Sequence, residues 1–239
     1  MRTCRHTPLL VTSLVALAAC GGDSPTNPDP NATVFSELKS DFSGSALPSF
    51  LSILQKDAGG NIVVGNGVLT LTSPDYTNGG SIVGVYTPSS YALDAAGVYI
   101  RSQDPVNQEP YNGAITAFDA AMNGYGISVS STSLTPGSAT LRANRYIAGV
   151  VDHFVEIPFN GSLHLWRRFR LSGGVIYMDY APDNGAGPGT WVNFASENVA
   201  AHNPGWNSGA SKLYIASGAA LQEGAHKVTI WDGLNSNTH

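Results

Sequence analysis

Apolar and polar residues alternate along short stretches of this chain, the period of two expected where one face of a strand is buried and the other is not. Val98 and Ile100 alternate with Tyr99 and Arg101, and Ile176, Met178 and Tyr180 with Tyr177 and Asp179. Strands are predicted over 61–64, 68–72, 81–86, 97–102, 114–119, 125–130, 138–145, 153–157, 163–171, 175–180, 190–195, 212–217 and 225–232. Gly65-Asn66-Gly67, Asn78-Gly79-Gly80, Ser172-Gly173-Gly174 and Asp183-Asn184-Gly185 separate them, residues that accept the positive φ of tight hairpins. Helix has room for a turn or two at most, near Ser45–Leu54 and Pro88–Asp94. Many short strands joined by tight turns predict an all-β, antiparallel sandwich or barrel.

The first residues follow another rule. Arg2 and Arg5 precede an uncharged run from Leu9 to Ala19 that is too short to span a bilayer. It ends in Leu17-Ala18-Ala19-Cys20-Gly21, which resembles the lipobox of bacterial lipoproteins. The resemblance implies that residues 1–19 are a signal peptide, that Cys20 carries lipid, and that the chain is exported and anchored to a membrane without a spanning helix. Gly21 rather than aspartate after the cysteine points to the outer membrane. Residues 20–33 are rich in Pro and Gly, have no large apolar side chain and read as a tether. The folded domain is then 34–239. Cys4 falls in the signal peptide and Cys20 is lipidated, so that domain has no disulfide and no thiol chemistry.

Composition narrows the partners. A formal net charge of −5 gives no basic footprint, so nucleic acid is not an expected partner.

Three segments resemble the concanavalin A-like lectin/glucanase jelly roll. They are Asp41-Phe42-Ser43-Gly44 followed by 62–71; Trp166-Arg167-Arg168-Phe169-Arg170-Leu171-Ser172-Gly173-Gly174-Val175-Ile176-Tyr177 continuing to Trp191; and 212–218 with Val228-Thr229-Ile230-Trp231-Asp232. The resemblance implies an antiparallel β-sandwich and a glycan partner. Residues 103–158 match no motif of that family.

Strand alternation groups Leu163, Leu165, Arg167, Phe169 and Leu171 on a core face, with Arg167 the exception to explain. If the neighbouring strands share a sheet, its outer surface carries Tyr99, Arg101, Trp166, Arg168, Arg170, Tyr177 and Asp179, aromatic rings beside charged groups suited to sugar C–H faces and hydroxyls. A carbohydrate-binding, lectin-like lipoprotein is the first expectation. A glycoside hydrolase or polysaccharide lyase is the alternative, needing an acidic pair or a Tyr/His/Arg cluster; a structural or adhesive envelope protein is the third. Enzyme activity is disfavoured, because no Glu-x-Asp-x-Glu run, nucleophile elbow or His-Glu-x-x-His is present. Asp152 and Glu156 would stand roughly 13 Å apart on an extended strand, too far for an acid pair. Asp41 and Asp232 are candidate ligands for a structural Ca2+ linking the first and last strands.

Overall fold

The computed structural model describes residues 33–56, 59–74, 81–103, 111–131, 137–219 and 227–237. The expected signal peptide, Cys20 and the expected tether as far as residue 32 lie outside the described residues. The strands are β1 Ser52–Lys56, β2 Asn61–Gly65, β3 Val68–Ser73, β4 Ser81–Tyr86, β5 Val98–Gln103, β6 Tyr111–Phe118, β7 Gly124–Ser130, β8 Thr140–Ile147, β9 Val150–Pro158, β10 Trp166–Ser172, β11 Val175–Ala181, β12 Val192–Asn198, β13 Lys212–Ala219 and β14 Lys227–Asp232. They form two seven-stranded antiparallel sheets, ordered β1-β4-β13-β6-β7-β8-β9 and β12-β11-β10-β5-β14-β3-β2. The expected β-sandwich is the observed fold.

Turn chemistry sets the hairpins. Asn66 and Gly67, at φ 55° and 80°, connect β2 to β3, and Gly173 and Gly174, at 58° and 75°, connect β10 to β11. Two successive positive φ values match the right-handed twist of the flanking strands. The β8–β9 hairpin uses Ala148 and Gly149, at 49° and 79°. The Asn123 carboxamide accepts the Ala148 amide, and the Met122 carbonyl accepts that of Gly149, so tertiary contacts hold alanine where it rarely sits.

The inner faces of both sheets form one core, to which β7 gives Tyr125, Ile127 and Val129, β10 gives Phe169, and β11 gives Ile176 and Met178. Buried asparagines tie the loops to it. The Asn235 amide donates to the carbonyls of Phe35 and Leu38 while its oxygen accepts the Tyr99 amide, and Asn203 donates to the carbonyls of Gly124 and Tyr146.

Three local expectations are corrected. Ser52–Lys56 is an edge strand paired with β4, so the helical turn expected around Ser45–Leu54 does not form there. The short helix α1 is Val199–His202 instead, capped by the Asn198 side chain. The strand expected from residue 163 begins at Trp166, because Asn160 organises the preceding turn through the amides of Ser162 and Leu163. Alternation therefore fails there: His164 is buried and Leu163 is exposed. Arg167 does point into the interior, its guanidinium over the rings of Trp231 and Phe159.

Candidate functional site

The sheet face expected to bind sugar exists. Register puts Trp166 opposite Arg101, Arg168 between Tyr99 and Asp179, and Arg170 opposite Tyr177. All seven residues share the outer side of β5, β10 and β11, yet they are engaged with one another. One oxygen of buried Asp179 accepts from Arg168 Nε at 2.9 Å, Arg168 Nη2 at 2.8 Å and Arg170 Nε at 3.1 Å, and the other accepts Asn193 Nδ2 at 3.0 Å. Arg168 covers the Trp191 ring at 4.2 Å and Arg170 covers Tyr177 at 4.3 Å, each taking a ring face on which a sugar would stack. Arg101 pairs with Asp183 and Asp232, and Trp166 is buried. The face is a cross-strand latch of paired charges and capped rings.

The calcium expectation gains nothing from the geometry. The Asp232 carboxylate is neutralised by Arg101 at 2.8 Å, and the exposed Asp41 carboxylate caps the amide of Ser43, which holds its pKa below the usual range. No group of three or more His, Cys, Asp or Glu side chains suited to a metal occurs among the described residues.

The outer face of the other sheet differs. Inward alternation of Tyr125, Ile127 and Val129 on β7 leaves Gly124, Gly126, Ser128 and Ser130 on the side away from the core. Register then lines up rows across the sheet. One row is Tyr86, Tyr214, Thr116, Gly126, Asn144 and His153; the next is Gly84, Ala216, Ala114, Ser128, Arg142 and Glu156; a third is Lys212, Phe118, Gly124, Tyr146 and Val151. Small residues make a low floor along β6, β7 and β13. At Gly126 a side chain has no room, because a Cβ would lie 2.4 Å from Thr116 Oγ1.

An aromatic bank bounds one side of that floor: Phe118 meets Tyr146 and Tyr214 edge-on, and Tyr214 stacks with Tyr86, over which Lys212 sits. A polar bank bounds the other. A β-bulge between β8 and β9 shifts the register so that Ala143 opposes Val155 while Asn144 opposes His153, with Phe154 the extra residue. In the register that the Ala148-Gly149 turn sets, Asn144 Nδ2 donates to Ser128 Oγ at 2.9 Å, and Asn144 Oδ1 lies 2.6 Å from His153 Nδ1; beyond His153 the bulge brings Glu156 onto the same face, opposite Arg142. With the amide nitrogen directed to Ser128, the Asn144 oxygen is an acceptor, and it fixes the His153 tautomer with its proton on Nδ1 and a lone pair on Nε2. Partial burial and nearby Arg142 hold the His153 pKa below that of free histidine, against an upward pull from Glu156 and Asp152. Arg142 Nε contacts Thr140 Oγ1 at 2.9 Å and Glu156 Oε1 at 3.2 Å. Burial pushes the Tyr146 phenol up to about 12, with Thr116 opposing, so it is protonated at neutral pH.

Beneath this bank, between the sheets, Tyr125 donates to Glu197 Oε1 at 2.6 Å, and Arg145 bridges Glu197 and Asp152. Asp152 thus faces away from Glu156 and the two carboxylates do not converge. Sequence reasoning weighed these two only as an acid pair and missed the polar bank, which lies within the stretch 103–158 that matched no motif. His153 stands opposite Asn144 through the register of the Ala148-Gly149 hairpin, and Glu156 joins that face through the bulge, which the sequence does not announce.

No family model matches the chain, and no curated protein does. Among solved structures, a laminarinase from Flavobacterium sp. UMI-01 superposes with a TM-score of 0.58 at 9% identity, covering 82% of this chain and 98% of its own. A Crh5 transglycosylase in complex with NAG gives 0.58 at 11% identity, covering 90% and 97%. The GH43 protein BlXynB from Bacillus licheniformis gives 0.56 at 9% identity, covering 81% of this chain; the chain spans 38% of that protein. A CBM2 module of a phage Dit protein shares the fold as well. At these identities the likeness establishes the fold, the concanavalin A-like jelly roll. The glycosidases among the neighbours, with a β-glucanase and a lichenase beside those above, overturn the expectation of a non-catalytic lectin and the preference against an enzyme.

Proposed function

We propose that this chain is a glycan-cleaving enzyme whose substrate lies across the outer face of the sheet β1-β4-β13-β6-β7-β8-β9. One observation carries the reading: a histidine of fixed tautomer, His153, stands on this face beside Arg142, Asn144 and the protonated phenol of Tyr146. That is a base, a cation, an amide and an acid in neighbouring positions of two strands, the constituents of general acid–base catalysis. A saccharide lying along the small-residue floor would meet the half-buried ring of Tyr86 at its edge, with Phe118, Tyr146 and Tyr214 buried behind it. The names of the fold neighbours support the same reaction class.

A panel of laminarin, lichenan, xylan, alginate and polygalacturonate, assayed for new reducing ends, tests the reading. Release from at least one polymer, reduced about a hundredfold or more in Asn144→Ala, is expected. Release unaffected by that change would move the site elsewhere. We also propose export and lipid anchoring at Cys20, outer membrane favoured, on the strength of the lipobox resemblance. The tether then holds the sandwich off the lipid surface, where polymeric substrate is met.

A further inference from the structure

Resting on the reading of this face as a glycan-cleaving site, we propose that the bond is broken by β-elimination on a uronate-containing polysaccharide, with His153 as the base that takes the ring proton next to the carboxylate.

Hydrolysis of a glycosidic bond ordinarily uses two carboxyl groups about 5 to 10 Å apart. Glu156 is the carboxylate that the described residues place on this face, and it is in contact with Arg142. Asp152, its nearest acidic neighbour in the chain, is on the opposite side of β9 and bound to Arg145. Glu197 is between the sheets, shared by Tyr125 and Arg145. The second carboxylate that hydrolysis calls for is therefore not on this face among the described residues.

What stands beside Glu156 suits elimination. Asn144 commits the Nδ1 of His153, so Nε2 is the atom left to accept a proton. Partial burial and the Arg142 charge keep the ring neutral near pH 7, which a base requires, and Glu156 and Asp152 are the acidic groups that oppose them. A carbon-bound proton beside a carboxylate becomes acidic when that carboxylate is neutralised by a cation or hydrogen-bond donors. Arg142 lies two residues from Asn144 on the same face of β8, about 7 to 8 Å diagonally from His153. Its Nε is engaged by Thr140 and Glu156, and its terminal amino groups hold no hydrogen bond among the described residues. Tyr146 is the equivalent diagonal neighbour on the other side. At the far end of the face Lys212 adds a second cation over Tyr86, so positive groups bracket the floor along which an acidic polymer would lie.

The step balances without water or a redox partner. His153 Nε2 takes the proton from C5 of the uronate. The C5–H electron pair becomes the C4=C5 bond, the C4–O bond breaks, and the leaving oxygen takes the phenolic proton of Tyr146. Proton return from His153 to Tyr146 through solvent restores both groups. One fragment ends in a hydroxyl and the other in an unsaturated uronate.

The test follows two signals from one reaction, with alginate, polygalacturonate and hyaluronan as acidic probes and laminarin as the neutral one. Reducing ends report cleavage by any route, and the ultraviolet absorbance of the conjugated uronate reports elimination alone. Both signals should rise together on an acidic polymer. They should fall about a hundredfold or more in His153→Ala and in His153→Gln, a second variant that retains a donor for Asn144, and by no more than about tenfold in Glu156→Gln. Reducing ends without absorbance, abolished by Glu156→Gln, would establish hydrolysis and overturn elimination while leaving the site in place. Absorbance that persists in both histidine variants would overturn the role of His153. Absence of reducing ends from all the polymers would overturn the reading of the face as a cleavage site, and elimination with it.

Discussion

Replacing Asp179 by alanine separates a latch from a binding surface. Its oxygens accept four hydrogen bonds, from two arginines and Asn193, and its side chain is 2% exposed. Charge-assisted bonds contribute about 1.5 to 3 kcal/mol each, so a simple sum would exceed 6 kcal/mol. That sum is too large. The Arg168 and Arg170 side chains are 20% and 26% exposed, so both guanidiniums can turn partly to water while keeping their contacts with Trp191 and Tyr177. Removing one partner of a buried pair costs about 3 to 5 kcal/mol, and the lower end, about 3 kcal/mol, applies here. In a domain of this size that is a fall in Tm of about 6 to 12 °C, read by circular dichroism or calorimetry. Asp179→Asn, which keeps the shape, should fall by less. Polymer cleavage measured well below Tm should be unaffected by either change, because the site is on the other sheet. An unchanged Tm together with lost glycan affinity would refute the reasoning and make this face the binding surface.

Other expectations follow from single contacts. Burial depresses the His164 pKa to about 4, with Arg167 adding to it. The unfolded chain then binds more protons than the folded one between pH 6.5 and 4. Stability is complete above about 6.5 and falls as the pH drops to 4, by up to about 3 kcal/mol, and His164→Gln should flatten that part of a Tm–pH curve. Ala148→Gly removes a side chain from a φ of 49° and should raise stability by about 0.5 to 1 kcal/mol in urea unfolding. Cys20→Ser should abolish incorporation of labelled palmitate and release the chain from membranes; retained label would refute anchoring at that residue.

Much of the fold was legible where local chemistry decides. The Asn66-Gly67 and Gly173-Gly174 turns gave their hairpins, and alternation placed Tyr99, Arg101, Tyr177 and Asp179 on one face, because these signals act over a few residues. Ser52–Lys56 carries little alternation and becomes a strand through pairing with β4, and Leu163–Leu165 lose theirs to the Asn160 turn. The aromatic and charged residues noticed in the sequence turned out to be busy with one another. Those of the candidate site were passed over because Gly126, Ser128 and Asn144 have no chemistry until strand order and the β8–β9 hairpin register set them beside His153.

The two sheet faces are told apart by where the glycan is cut. The most direct measurement compares initial rates of reducing-end release by His153→Ala and by Tyr177→Ala, each shown to be folded, on whichever panel polymer the unaltered protein cleaves. Loss of about a hundredfold or more in His153→Ala, with a rate near that of the unaltered protein in Tyr177→Ala, is the expected result. A full rate in His153→Ala, or a loss confined to Tyr177→Ala, would contradict the assignment of the site to this sheet.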